Sequence, residues 1–534
     1  MRCLLSHSSI KLRWTLLPIP DRRYSLNSKR LYSVSSRTYD VSVRATSFKL
    51  FLTRSQDAIT LLNTLQTPHK ILEERRRANI NINEFATEHL KECLARIGHS
   101  QSDLEQLNII HVAGTKGKGS TCSYVDSILA QYRKSHDIPQ RVGLYTSPHL
   151  VAVRERIRIN SAPLSASLFA KYFFEVWDAL HGGEAEPITP PNYFKYLTLM
   201  SFHVFLKQRV NTAVYEVGVG GEYDATNIAD RPAVTGITTL GIDHVITLGE
   251  TLEEISWHKA GIQKPGVPSF TVNQLPNAMK VIQDRAKERN VKSLNVVGLD
   301  PRLKNIKIRP DADFQKSNAS LAIALAETAL KKLDPSFQLS PGSLPKEFVD
   351  GLEKVIWRGR CEKKVEGNIT WHVDGAHTAD SIIIASRWFG EECLQKSGAR
   401  VLIFNQQGHR DSLPLLEGLY SAITAHGLVK FDHVIFCTSA GQQKQFVNAG
   451  IDNNEVSDLS LQTAFAERWR SLDPSPSTNI KVLPYIEDAL DYVRKLSFEA
   501  SKKVGKEAKT QVLITGSLHL VGRALGVLEG ADAL

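Results

Sequence analysis

Between Ile110 and Ser120 the chain reads Ile-His-Val-Ala-Gly-Thr-Lys-Gly-Lys-Gly-Ser, an apolar run that passes into a loop of alternating glycines and lysines. Glycines let the backbone curl so that successive N–H groups face one point. A helix that follows adds the positive end of its dipole, and the two together hold an anion. Lys118 is placed to neutralise the outer phosphates of a nucleotide, as the lysine of a G-x-x-x-x-G-K-[ST] loop does. The match to that pattern is imperfect. The loop is shorter, and Gly119 stands where Ser or Thr would hold a magnesium ion. A purely structural turn is the competing reading. A strand before the loop and a helix after it favour nucleotide binding by Gly114, Thr115, Lys116, Gly117, Lys118, Gly119 and Ser120.

Three further residues have suitable chemistry and weak individual signals. Glu216 ends an apolar run and opens a glycine-rich stretch, where a carboxylate can face a ligand. His244 follows Asp243 after an apolar run, and Lys259 sits in a helical pattern. Taken alone, each reads as an ordinary strand-end acid, structural histidine or solvated lysine.

The elements that must carry these residues alternate along the chain. Apolar runs at 108–112, 141–145, 212–217 and 233–238 predict strands, and apolar positions at helical spacing predict helices over 55–65, 120–132 and 193–205. A Pro/Ser/Gly-rich segment at 334–345 precedes a helix at 346–355. A second alternating series then sets in at 369–373, 400–404, 433–436 and 511–515. The order implies α/β architecture with parallel sheets covered by helices. A length of 534 residues implies two domains of unequal size, with a boundary near Ile356.

Charge and cysteines exclude several classes. The formal net charge is +10, yet residues 1–50 hold ten Lys or Arg against two Asp, so the remaining chain is nearly neutral and argues against a nucleic-acid partner. The segment 1–45 is rich in Arg and Ser, including Arg22, Arg23, Arg30 and Arg37, and has the composition of a mitochondrial presequence; a disordered basic tail is the alternative. It predicts mitochondrial and cytoplasmic pools. The six cysteines are scattered without a C-x-x-C pair, so neither a disulfide framework nor a zinc site is expected. No stretch is long and apolar enough to span a bilayer.

A series of motifs then gives a resemblance. Ala113–Ser120 resembles the phosphate loop of the Mur ligase superfamily, in its folylpolyglutamate and dihydrofolate synthase branch. The likeness continues through Tyr145-Thr146-Ser147-Pro148-His149-Leu150, Glu216-Val217-Gly218-Val219-Gly220-Gly221, Asp224-Ala225-Thr226-Asn227, Gly241-Ile242-Asp243-His244 and Lys259-Ala260-Gly261-Ile262. In the second half it includes Trp357-Arg358-Gly359-Arg360, Asp374-Gly375-Ala376-His377 and Thr515-Gly516-Ser517-Leu518-His519.

The resemblance implies a P-loop ATPase-like parallel-sheet domain at 46–356 and a smaller Rossmann-like α/β ligase domain at 357–534. It implies ATP-dependent addition of L-glutamate to the γ-carboxylate of tetrahydrofolate and its polyglutamates through an acyl phosphate. Cofactors would be ATP and Mg2+, with a monovalent cation such as K+ allowed, and the protein would act as a monomer. By the same resemblance Ser147, Glu216 and His244 are magnesium ligands. Arg360 and Asp374 contact ATP, and His377 and Ser517 bind glutamate. Lys118, Lys259 and His377 are the catalytic group, with Lys259 carbamylated by carbon dioxide. Folate would lie near Pro148–Arg156 and Asn192–Lys195. The chain departs from the family pattern at three places: Glu222 replaces a common Arg, His258 a common Glu and Thr378 a frequent Asn. Competing readings are dihydrofolate synthase, adding the first glutamate to dihydropteroate, a P-loop ATP hydrolase, and a non-catalytic metabolite-binding relative.

Overall fold

Short β-branched runs separated by longer amphipathic ones build two sheets, which a computed structural model shows for residues 54–67, 85–182, 188–394, 398–406, 412–424, 430–439, 458–504, 509–531 and 533–534. The expected leader at 1–45 lies outside these residues.

The first sheet contains β1 (Ile110–Ala113), β2 (Val142–Tyr145), β3 (Ile157–Ile159), β4 (Ala162–Pro163), β5 (Thr212–Glu216), β6 (Val234–Ile237), β7 (Pro268–Val272) and β8 (Ser293–Val297). Their order is β4-β3-β2-β5-β1-β6-β7-β8. Six strands run parallel, and β3 and β4 join antiparallel at one edge. Every residue of β1, β2, β5 and β6 is buried, as expected of parallel strands covered on both faces. The sheet thus places the C-terminal ends of β1, β2, β5 and β6, and the loops they feed, along one edge. Ligands of open α/β sheets bind at such edges.

The helix Lys118–His136 follows the phosphate loop directly and packs on the helices Asp313–Leu333 and Lys346–Lys354. It is longer than the apolar spacing predicts. Gly117 starts it in the left-handed region, and Asp137 ends it there with its N–H bonded to the Arg133 carbonyl.

The second sheet contains β9 (Glu362–Glu366), β10 (Ile369–Val373), β11 (Arg400–Phe404), β12 (His433–Cys437), β13 (Asn479–Leu483) and β14 (Thr510–Thr515), in the order β13-β12-β11-β14-β10-β9. Only β9 is antiparallel to its neighbour. Both sheets lie within one compact unit, Phe51–Leu534. The expected boundary at Ile356 falls between the helix Lys346–Lys354 and β9. Val151 and Leu534 share an apolar cluster with Trp371 and Val521, which joins the loop after β2 to the second sheet. There the Leu150 carbonyl occupies the space that a side chain at Gly522 would need.

Candidate active site

The phosphate loop has the shape its glycines predict. Gly114 has φ +148° and Gly117 φ +93°, and a side chain at either would collide with Thr238 or Asn318. The Thr115 and Lys116 N–H groups both donate to the Thr239 carbonyl, at 3.0 and 3.1 Å. The Thr115 hydroxyl donates to the Gly241 carbonyl at 3.0 Å. These bonds fasten the loop to the segment after β6 that carries Asp243 and His244. Lys118 is curled onto its own loop, with Nζ 3.0 Å from the Gly114 oxygen.

Gly119 has a steric cause. A Cβ there would stand 2.8 Å from Cζ2 of Trp357 and 3.4 Å from Oε1 of Glu216. The indole from the connection between the sheets fills the space where a P-loop Ser or Thr would project.

Lys259 lies at the end of the helix Leu252–Ala260, which Thr251 and Glu254 cap reciprocally. It is 2% exposed, and Nζ donates to the Gly114 carbonyl at 2.8 Å. Burial first, and the nearby Lys118 charge second, push its pKa down to about 7. The helix is fastened from behind through Glu222. That residue's N–H donates to the His258 carbonyl at 2.7 Å, and its carboxylate pairs with Arg285 and Arg289. The acid at 222 is therefore matched by two guanidiniums from the helix beyond, with Arg285 also stacked 4.3 Å over Trp257.

Glu216 ends β5 and is buried. Its Oε2 accepts from the Ser147 N–H at 3.0 Å. Burial raises its pKa, while Lys118 and the Ser147 N–H oppose that rise. His244 is half exposed, with Nε2 3.7 Å from Asp243 Oδ2. Its pKa is lowered chiefly by partial burial, which favours the neutral imidazole. Among the described residues, no three His, Cys, Asp or Glu side chains converge in a metal-binding group. A buried carboxylate and a hydroxyl beside a phosphate loop suit Mg2+, which keeps several waters and takes further oxygens from substrate phosphates, whereas the imidazole is a less usual donor for so hard a cation.

The second half contributes from the opposite wall. Asp374, just past β10, accepts from the Cys361 N–H at 2.6 Å through one oxygen and from the Ala376 N–H at 2.8 Å through the other. Its carboxylate ties the two loops together and retains lone pairs for a ligand. Burial raises the pKa of Asp374, as it does that of Glu216, and the nearby Arg360 charge opposes the rise at both. His377 is exposed, with Nδ1 2.8 Å from the Gly375 carbonyl. A proton on Nδ1 would leave Nε2 as an acceptor.

Between these walls runs a cleft of about 1970 Å³, lined by Thr115 to Ser120, Ser147, Glu216 and His244 on one side and by Arg360, Asp374 and His377 on the other. The stretches expected to meet folate also reach it, through Pro148, Arg156, Asn192 and Lys195 among others. Gly114, Lys259 and Ser517 do not line the cleft. Ser517 caps the helix Leu518–Glu529, its hydroxyl accepting from the Leu520 N–H at 3.2 Å.

Sequence reading missed Trp357 as a wall of the phosphate loop, and it missed Asn318. Asn318 is buried against Gly117 and donates to the Gln315 side chain at 2.9 Å. Its available signal was a Gln-x-x-Asn pair in an alanine-rich apolar helix.

No protein-family model matches the chain. It is 52% identical over 521 residues to the folylpolyglutamate synthase of Neurospora crassa, covering 95% of this chain and 94% of that one. The chain belongs to the folylpolyglutamate synthase family. The folylpolyglutamate synthase of Candida albicans is 42% identical, with 90% of this chain and 98% of that one covered. Among solved structures, a Mycobacterium tuberculosis folylpolyglutamate synthase complexed with ADP matches with TM-score 0.66 at 23% identity, covering 91% of this chain and all of that one. An FPGS–AMPPCP–folate complex matches with TM-score 0.59 at 22% identity, covering 89% of this chain and all of that one. These structures share the fold of this folylpolyglutamate synthase relative.

Proposed function

We propose that the chain is an ATP-dependent ligase that adds L-glutamate to the γ-carboxylate of tetrahydrofolate and its polyglutamates. One observation carries this reading: in a chain of this family, a phosphate loop with Lys118 and Glu216 faces Arg360, Asp374 and His377 across one cleft. The folate γ-carboxylate attacks the γ-phosphorus of ATP, forming an acyl phosphate and releasing ADP. The neutral amine of glutamate then attacks the acyl carbon, the amide forms, phosphate leaves and the amine's surplus proton departs. His377 Nε2 is an acceptor available for that proton. The loop N–H groups from Gly117 onward, Lys118 and Arg360 position and neutralise the phosphates, which is the main protein contribution in phosphoryl transfer.

Ser147, Glu216 and His244 would hold Mg2+, which when bound offsets the charge of phosphates and carboxylates brought together. At a pKa near 7 the Lys259 amine is neutral often enough to add to carbon dioxide. An N–C bond forms and a proton leaves, so the site gains an anion beside Lys118.

The test is product mass after incubating the purified protein with MgATP, glutamate and either tetrahydrofolate or dihydropteroate. Successive glutamate additions to tetrahydrofolate are expected. Addition to dihydropteroate alone would assign the sister activity, and ATP turnover without glutamate dependence would make the protein a hydrolase. We also propose that residues 1–45 direct part of the protein to mitochondria. A full-length fluorescent fusion confined to the cytosol would sink that assignment.

A further inference from the structure

Two loops that face each other across the cleft are each internally stiff. On one side, the Thr115 and Lys116 N–H groups donate to the Thr239 carbonyl, and the Thr115 hydroxyl donates to the Gly241 carbonyl. On the other, the Ser381 hydroxyl accepts from the His377 N–H at 3.2 Å and the Thr378 N–H at 3.0 Å, which welds the His377 loop to the first turn of the helix Ala379–Cys393. The two are joined by one ion pair, Lys116 with Asp380, between residues 264 positions apart. Both side chains line the cleft and are largely exposed, at 53% and 74%. Asp380 sits in the first turn of its helix, where the dipole favours an acid. It has no role in the chemistry described above.

We propose that Lys116 and Asp380 form a latch across the cleft that sets how closely the His377 loop approaches the phosphate loop. They are positioning residues for the glutamate half-reaction, and the inference rests on the ligase reading. Because Ser381 binds the His377 backbone, a shift of Asp380 carries His377 with it. Because the Lys116 backbone is fixed beside the His244 segment, the pair measures the gap between the phosphate side and the amine side of the reaction. An exposed pair biases a gap without locking it. That suits a cleft which must admit three substrates and release three products.

The test compares the unmodified protein with D380N, D380E, K116Q and K116Q/D380N in steady-state ligation of glutamate to tetrahydrofolate. The latch predicts that D380N raises the KM for glutamate about three- to tenfold while the KM for ATP stays within about twofold, and that D380E restores most of the difference. It also predicts that adding K116Q to D380N raises the glutamate KM no further, because the partner is already gone. If D380N has an unchanged glutamate KM, or if the two substitutions multiply as independent effects, the latch is wrong. If the unmodified protein ligates no glutamate, the ligase reading itself fails, a separate outcome visible before any variant is made.

Discussion

Lys118 and Lys259 donate to the same acceptor, the carbonyl oxygen of Gly114, at 3.0 and 2.8 Å. Two ammonium groups on one carbonyl, with Lys259 buried, cannot both hold their charge at ordinary cost. The structure thus contains an amine held near neutrality directly behind the phosphate loop.

The sign of the resulting pH dependence follows from the depressed pKa. Between about 7 and the ordinary 10.5, the unfolded chain holds a proton on Lys259 that the folded protein has lost. Stability contributed by this position therefore rises with pH across that window. Lys259→Met should remove the rise. Urea midpoints at pH 7 and pH 9 should show the unmodified protein gaining on the variant at the higher pH. Activity should fall at least about 100-fold, on the scale of losing one charge-stabilising group; full activity in Lys259→Met would rule out the carbamate.

Gly119→Ala should lower kcat/KM for ATP by about tenfold or more, since the added carbon meets the Trp357 ring at 2.8 Å. The double substitution with Trp357→Leu should recover part of that loss. Steady-state kinetics at varied ATP decide it, and an unimpaired Gly119→Ala would mean the indole moves aside freely.

Glu222→Gln should destabilise the protein by about 3 kcal/mol, the scale for removing one partner of a buried ion pair. Arg285 would keep only Glu288, and Arg289 would lose its acid. Urea denaturation measures this directly, and a shift below about 0.5 kcal/mol would show that the pairing has little energetic weight.

Glu216→Gln neutralises the buried carboxylate that faces Gly119 of the phosphate loop. The Mg2+ concentration for half-maximal activity should rise at least about tenfold, on the scale of a change at or next to a metal ligand. A magnesium titration of initial rate provides the comparison; an unchanged midpoint would take Glu216 out of the metal site.

The parts legible in the sequence are those where local chemistry and the final fold agree. Ile369–Val373 (Ile-Thr-Trp-His-Val) and Arg400–Phe404 (Arg-Val-Leu-Ile-Phe) are rich in β-branched and aromatic residues and form central strands at the predicted residues. The edge strands escaped for the opposite reason: β9 reads Glu-Lys-Lys-Val-Glu, and β13 alternates only partly buried positions. Neither carries an apolar run. Within the site, the loop glycines were legible because their backbone demands are local. Asn318 against Gly117, Trp357 against Gly119 and Asp380 against Lys116 were not, since each pairs residues about 200 or more positions apart that only the strand order brings together. The acid at 222 appeared in sequence only as a departure from a pattern. Its meaning depends on Arg285 and Arg289, one helix further along.

The Trp357 indole belongs by sequence to the connection leading into the second sheet, yet it serves as a wall of the first sheet's phosphate loop. The two halves are consequently not interchangeable modules. A chimera that takes its second half from a distant relative inherits a foreign residue at the join, and nucleotide handling in the first half should change although none of its own residues has. A cut placed just before Trp357 would remove part of the nucleotide site along with the second half, so the join is best treated as belonging to both.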